Sequence, residues 1–112
     1  MNAVERATQI WSVLAWAARN QQVVTYGQLA ALIGVPRPGL GQLLAPIQAY
    51  CRLQSLPPLT ALVVSDTTGK PGSGFTAAED VLAAQAQVFR FDWLQQGCPK
   101  PEDFEKALKD QG

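Results

Sequence analysis

The chain has 112 residues, a formal net charge of zero, 47% hydrophobic residues and 16% charged residues. This length predicts one domain over residues 1–112, with a core at 5–75 and a C-terminal helical extension at 76–112. The composition excludes a disordered, highly charged chain, and no apolar run reaches the length of a membrane-crossing helix. The N-terminus shows no basic region followed by an apolar stretch, so we expect no signal peptide and a cytoplasmic protein that does not engage a membrane.

Histidine is absent from the chain. Its absence excludes Ser–His and Cys–His catalysis and every zinc site that uses histidine. Two cysteines, Cys51 and Cys98, are too few for a disulfide framework or a metal site. Cys51 falls on the apolar face of a predicted helix, which favours a buried free thiol, whereas Cys98 falls in a predicted loop. We therefore predict no enzymatic activity, no catalytic residue, no metal and no cofactor.

The charges are unevenly distributed along the chain. Residues 1–75 contain five basic and two acidic residues, a net charge of +3, and residues 76–112 contain four basic and seven acidic residues, a net charge of −3. A basic front is typical of a body that binds a polyanion, with the acidic tail as a separate element. Ordinary variation in surface charge explains the same difference equally well.

The first predicted helix covers Val4 to Asn20, because its apolar residues recur on one face at helical spacing. Trp16 falls on the polar side of that helix. We predict that a second layer of the domain buries it, with an exposed contact for a partner as the alternative.

A short β-prone stretch, Val23–Thr25, precedes a second predicted helix over Thr25 to Val35. Thr25 and Gln28 have the spacing of a capping box, in which each side chain bonds the other's backbone amide. Gly34 then ends the helix as a C-cap. The residues 37–39 connect it to a third helix over Leu40 to Leu53, which Pro46 is expected to bend or divide.

The apolar run from Leu59 to Val64 predicts a strand that follows this helix. Turn formers occupy residues 65–72, and residues 73–75 are expected to return as a short antiparallel strand, with Lys70 at the tip of the hairpin.

The C-terminal part is predicted to be helical. Thr76 is expected to cap a long helix over residues 77–95, with Glu79 at capping-box spacing. A strand over residues 89–93 is the alternative for its end. Residues 101–110 predict a short, polar, peripheral helix.

The predicted fold is therefore mainly α with a small β-hairpin, in the order of a winged helix-turn-helix. The third helix then lies in a DNA groove, and the hairpin, or wing, reaches a neighbouring groove or phosphate. At the start of this helix Arg37 supplies a guanidinium fork, Gly39 and Gly41 permit close backbone approach, and Gln42 can read a base edge. Alternatively, Gly41 serves helix packing and Arg37 is a solvated turn residue.

Three stretches carry a resemblance to a known family. They are Val24-Thr25-Tyr26-Gly27-Gln28-Leu29-Ala30 with Ile33-Gly34-Val35-Pro36, then Leu40-Gly41-Gln42-Leu43-Leu44, then Leu62-Val63-Val64-Ser65-Asp66 with Gly69 and Gly72-Ser73-Gly74-Phe75. The chain resembles the C-terminal DNA-binding domain of the alkylguanine-DNA alkyltransferases and the alkyltransferase-like proteins over about residues 5–75. The resemblance implies a winged helix that enters the minor groove, with Tyr26 near a target phosphate. Packing of the Tyr26 ring on the core is the alternative.

The chain also departs from that family. Pro38 stands where the family has its intercalating arginine, and Arg37 is one residue away, about 100° around a helix. Pro57-Pro58-Leu59-Thr60 replaces the family's Pro-Cys-His-Arg segment, so Pro58 stands at the position of the nucleophilic cysteine. The alkyltransferase-like proteins keep that histidine and arginine, so the chain matches neither branch.

We therefore expect a non-enzymatic DNA-binding protein of weak affinity. Its predicted DNA-binding residues are Tyr26, Gln28, Arg37, Gly39, Gln42 and Lys70. The alternative is a protein-interaction module on the same fold, without nucleic-acid binding. Its candidate contacts are Trp16, Phe91 and the Leu56-Pro57-Pro58 element.

Overall fold

The computed structural model describes residues 2–72 and 75–110, and these residues form a mainly helical domain with a small parallel sheet. The α-helices are α1 (Ala3–Arg19), α2 (Tyr26–Ile33), α3 (Leu40–Leu53), α4 (Val81–Arg90), α5 (Trp93–Gln96) and α6 (Pro101–Asp110). The two strands are β1 (Val24–Thr25) and β2 (Val63–Val64). Two short 3₁₀ helices cover Arg37–Gly39 and Leu59–Leu62.

Helix α1 lies at the centre of the core. It begins with a capping box, in which the Asn2 side chain accepts from the Glu5 amide and the Glu5 side chain accepts from the Asn2 amide. Its inner face carries Trp11, whose ring meets three others from α3, α5 and α6 at centroid distances of 5.5–6.0 Å: Tyr50, Trp93 and Phe104. Tyr50 and Trp93 meet Trp11 edge to face, and Phe104 is tilted against it. Such aromatic contacts add to the free energy of area burial, so they tie α3, α5 and α6 to α1.

The predicted start of α2 is confirmed. The Gln28 amide donates to the Thr25 hydroxyl at 3.1 Å, and the Thr25 amide donates to Gln28 Oε1 at 3.0 Å. At the other end Gly34 adopts φ of +73°, a left-handed conformation that glycine takes without steric cost. Helix α3 is continuous over Leu40–Leu53 with the buried Pro46 inside it.

The strand expected over Leu59 to Val64 is wrong for its first four residues, which form a buried 3₁₀ helix. Proline lacks the amide that a sheet ladder needs, and the Ala61 amide instead donates to the Pro58 carbonyl at 2.9 Å. The Ala61 carbonyl accepts from Gln85 Nε2 at 2.9 Å, so this backbone carbonyl has a partner without a neighbouring strand.

Strand β2 pairs with β1, and the pairing is parallel, with Val24 beside Val63 and Thr25 beside Val64. The described residues thus hold a parallel pair in place of the expected antiparallel hairpin. The return strand was expected over residues 73–75, of which Ser73 and Gly74 lie outside the described residues. The turn before it does close, because the Ser65 amide donates to the Lys70 carbonyl at 2.7 Å.

The long helix expected over residues 77–95 is also wrong, as is the alternative strand over residues 89–93. Helix α4 begins only at Val81, because the Asp80 carboxylate caps it by accepting from the Ala83 amide at 3.0 Å. Thr76 is not a helix cap. The chain leaves helical geometry at Phe91, whose ring packs on Trp93 at 4.5 Å, and Asp92 then caps α5.

Two expectations about burial are corrected. Helix α6 has the expected bounds but is not peripheral, because Phe104 is fully buried among aromatic rings from α1 and α3. Trp16, which was expected to be buried, is 63% exposed. The aromatic second layer packs against the Trp11 face of α1, and Trp16 points away from that face.

Within the described ranges, none of the helices has both the length and the apolar character needed to cross a bilayer.

We expect Phe104→Ala to lower the free energy of unfolding by about 3–5 kcal/mol, since it empties a site that α1, α3 and α6 share. Urea denaturation followed by circular dichroism measures this loss. Leu82→Ala is the matched control, because Leu82 is exposed on α4 and its truncation should cost less than about 0.5 kcal/mol. Equal losses in the two variants would contradict the placement of α6 in the core.

Candidate nucleic-acid interface

A cavity of about 310 Å³ lies where the start of α2, the turn at Arg37–Gly39 and one face of α3 meet. Its lining combines hydrogen-bonding and apolar side chains from five segments of the chain. The lining residues are Tyr26, Arg37, Pro38, Gly41, Leu44, Ala45, Gln48, Thr60, Gly72 and Phe75.

An ion pair lies at one edge of this cavity. Arg37 Nη2 is 3.2 Å from Asp66 Oδ2, and the same carboxylate oxygen accepts from the Gly27 amide at 3.2 Å. The Thr25 hydroxyl, and after it the Gly27 amide and the Arg37 charge, hold the pKa of Asp66 below its usual value, while desolvation acts in the opposite direction. Asp66 thus links the first turn of α2 to the guanidinium of Arg37.

Two glycines make these contacts sterically possible. A Cβ atom on Gly27 would lie 2.6 Å from Arg37 Nη2 and 3.1 Å from Asp66 Oδ1. A Cβ atom on Gly72 would lie 2.6 Å from the Tyr26 hydroxyl oxygen. All three distances are shorter than a van der Waals contact. A larger residue at Gly27 or Gly72 would therefore displace a side chain that lines the cavity.

The structure brings two of the six predicted DNA-binding residues, Tyr26 and Arg37, to the cavity. Gly39 and Gln42 lie exposed at the start of α3 on either side of Gly41, outside the cavity lining. The Gln28 side chain accepts from the Thr25 amide, which makes it part of the helix cap. Lys70 is exposed in the loop over residues 65–70, apart from the cavity.

Sequence reasoning missed Asp66, Gln48 and Thr60. Asp66 stands two residues after β2 and Gly27 two residues after β1, so knowledge of the parallel register would have placed them together. Thr60 is a polar residue within an apolar run, and it is only 5% exposed. Its hydroxyl oxygen has no hydrogen-bond partner among the described residues, which is unusual for a buried polar group.

Gln48 and Arg52 hold the opposite wall of the cavity in place. Gln48 Oε1 accepts from the Thr76 amide at 3.2 Å, and Arg52 Nη2 donates to the Thr76 hydroxyl at 3.4 Å. These bonds attach the segment that follows Phe75 to α3. They also use hydrogen-bonding capacity of Arg52 within the fold.

The acidic helix α6 packs on a different face of α3. A groove between the two helices is lined by Tyr50 and Leu53 from α3 and by Asp103 and Asp110 from α6. Gln48, which faces the cavity, and Tyr50 are about 200° apart around the helix axis. Among the described residues, no α6 side chain lines the cavity, so the acidic groups do not enter it.

The cavity supplies hydrogen-bond donors beside an apolar wall.

Cys51 is buried, as expected, and burial raises its pKa to about 11, which keeps the thiol protonated at neutral pH. Cys98 is exposed and does not line the cavity. Over residues 2–72 and 75–110, no group of three or more acidic or cysteine side chains is placed to hold a metal ion.

Comparison of the chain with protein-family models, with curated proteins and with solved structures finds no match to any of them.

We expect the two thiols to differ in reactivity. At pH 8 a disulfide reagent such as Ellman's reagent should modify Cys98 in the folded protein, and Cys51 about tenfold or more slowly, because Cys51 is buried and its thiolate is scarce. Peptide mapping by mass spectrometry assigns the two rates, and Cys98→Ser isolates the slow one. Equal rates at the two cysteines in folded protein would contradict the burial of Cys51.

Proposed function

We propose that the chain is a non-enzymatic DNA-binding module of winged-helix type. In this proposal α3 faces a DNA groove and the adjacent cavity receives one unstacked base. The observation that carries the proposal is the convergence of Tyr26 and Arg37 at a cavity beside the exposed start of α3. The sequence resemblance to the alkyltransferase-like proteins supports the same function.

The arrangement of α2, the turn and α3 supports docking on DNA. The turn at Arg37–Gly39 leaves Gly41 and Gln42 exposed in the first turn of α3. Donors at such a helix start can bond phosphate oxygens, and an amide side chain can bond an adenine edge. In the proposed complex, Gln42 reads a base edge and Lys70, in the wing loop, contacts a neighbouring phosphate.

The charges of this face favour weak binding. Arg37 lines the cavity, Arg52 lies on α3 and already donates to Thr76, and Lys70 is exposed in the loop over residues 65–70. Two or three phosphate contacts give a plot of log K against log salt a slope of about −2 to −3. Arg37 is 61% exposed, and an exposed ion pair such as Arg37–Asp66 is weak because water screens it, so a phosphate can replace Asp66 at little cost.

The cavity supports the second part of the proposal. Extruding a base costs a few kcal/mol, and least where the base is already unpaired. Arg37, Tyr26 and Gln48 offer donors to a base edge, and the Thr60 hydroxyl, which has no partner among the described residues, is a further hydrogen-bonding group of the lining. Among the described residues the Cys51 thiol is buried, and the chain has no histidine to act as its general base, so we propose binding without catalysis.

The alternative, a protein-interaction module, has one observation in its favour, the exposure of Trp16. The other candidate contacts fit it less well, because Phe91 packs on Trp93 and Leu56, Pro57 and Pro58 are partly buried. Trp16 does not line the cavity, so protein binding and DNA binding need not compete for one site.

Arg37→Ala should weaken binding to a 20-base-pair duplex about tenfold at low salt and flatten the salt slope by about one, since one phosphate contact is lost. Fluorescence anisotropy between 50 and 200 mM salt measures both quantities. Arg90→Ala is the matched control, because Arg90 is exposed on α4 away from the cavity. An unchanged slope in folded Arg37→Ala protein, or the same loss in Arg90→Ala, would refute the assigned interface.

Thr60→Val should have two opposite effects. Removing a buried hydroxyl without a partner should raise the free energy of unfolding by about 1–3 kcal/mol. The same variant should lose the preference for a duplex with one unpaired base over a fully paired duplex, because the donor for that base is gone. Greater stability together with an unchanged preference would remove Thr60 from the site, and the absence of any preference in the parent chain would refute the base-binding cavity.

A further inference from the structure

The outer face of α1 carries a large exposed aromatic side chain. Trp16 is 63% exposed, whereas Trp11 and Trp93 are buried. Two grooves meet at Trp16: one of about 360 Å³ towards Leu94 and Cys98, and one of about 550 Å³ towards Val23 and Leu32. Leu94, Val23 and Leu32 are themselves exposed apolar residues. Contiguous apolar surface around an aromatic residue is typical of a site that binds another molecule.

The groove towards Leu94 leads to positive charge. Arg19 and Leu94 also line an adjoining depression of about 350 Å³, and Arg90 lines its far side. Among the described residues, the guanidinium groups of Arg19 and Arg90 have no ion pair and no hydrogen-bond acceptor. Asp92 is the acidic residue of this depression, and its carboxylate accepts from the Gln95 amide as the cap of α5. The groove beside Trp16 therefore adjoins a depression lined by two arginines that have no ion-pair partner among the described residues.

We propose that the Trp16 surface, formed by Trp16, Arg19, Arg90 and Leu94, binds an acidic segment of a partner protein. The segment carries an aliphatic or aromatic side chain for the groove between Trp16 and Leu94, and Asp or Glu residues for the two arginines. Trp and Arg are the residue types that most often dominate the binding energy of protein interfaces. Complementary charge then sets the orientation of the segment and raises its rate of association.

Charge also favours an acidic peptide over two other candidate occupants of this surface, a second copy of the chain and a nucleic acid. In a symmetric pair of two copies, the same patch meets itself, which brings Arg19 and Arg90 of one copy towards those of the other. Like charges oppose that contact. A nucleic acid would place phosphates over an apolar groove, where the phosphates would lose water without gaining a polar partner. An acidic, partly apolar peptide satisfies both the groove and the cations.

The test is a selection of random 12-residue peptides, displayed on phage, against the full chain. The selection is repeated with Trp16→Gln, which changes an exposed side chain and should leave the fold intact. Peptides that bind the parent chain and not this variant should have net negative charge and contain Leu, Ile, Phe or Trp. If no peptide depends on Trp16, or if the dependent peptides are neutral or basic, the proposal is wrong.

Anisotropy of a selected, labelled peptide then measures each contribution. We expect Trp16→Gln and the double variant Arg19→Gln/Arg90→Gln each to weaken binding tenfold or more. Leu82→Gln is the control, since Leu82 is exposed on another face and does not line either groove at Trp16. Equal weakening in the control would contradict the site.

Sedimentation velocity of the parent chain and of Trp16→Gln tests whether a second copy of the chain occupies the surface instead. A dimer that depends on Trp16 would assign the surface to a second copy. Affinity for duplex DNA should be unchanged in Trp16→Gln.

Discussion

Four residues connect the two parts of the chain that build the cavity. Val24 and Thr25 pair in parallel with Val63 and Val64, and this pairing sets the start of α2 beside the segment that carries Asp66. From there the Asp66 carboxylate reaches the Gly27 amide and the Arg37 guanidinium. A sheet of two strands with two residues each is too short to be stable alone, so its register depends on burial of both strands against the helices. The cavity edge is therefore a product of the core.

The cavity differs from the rest of the core in its polar groups. Elsewhere, buried polar groups have partners, as when Gln85 bonds the Ala61 carbonyl and the Trp93 indole bonds the Val88 carbonyl. Thr60 has no such partner among the described residues. A buried polar group without a partner costs free energy in the folded state, and such costs accumulate at binding sites, where a ligand supplies the missing bond. The proposed base-binding role gives this cost a physical reason.

Helix α1 separates two kinds of surface. Its inner face holds Trp11 among aromatic rings, and its outer face presents Trp16 to solvent. The proposed DNA interface uses α2 and α3, whereas the proposed peptide interface uses α1, α4 and α5. The two proposed interfaces share no lining residue, so the two proposals do not compete for one surface. The acidic helix α6 packs on α3 away from the cavity, so its charges do not cover the proposed DNA face.

The sequence by itself determined the features that depend on neighbouring residues. Thr25 and Gln28 form the expected capping box, Gly34 ends α2, and α6 spans Pro101–Asp110 as predicted. Each of these follows from hydrogen bonds or backbone angles within a few residues, which the local sequence specifies. The same local signals misplaced the start of α4, because Thr76 and Asp80 are both good cap residues and only contacts with Gln48 and Arg52 in α3 commit Thr76 elsewhere.

Tertiary structure decided what depends on distant partners. The first four residues of the apolar run from Leu59 form a 3₁₀ helix in which the Ala61 carbonyl accepts from Gln85, and Val63–Val64 pairs in parallel with a strand 39 residues earlier. Burial likewise reversed the expectations for Trp16 and for helix α6, since periodicity identifies the apolar face of a helix but not which of its faces another element covers. The assembly of Arg37, Asp66 and Thr60 around one cavity follows from these long-range contacts, which is why only the tertiary structure brings the candidate site together.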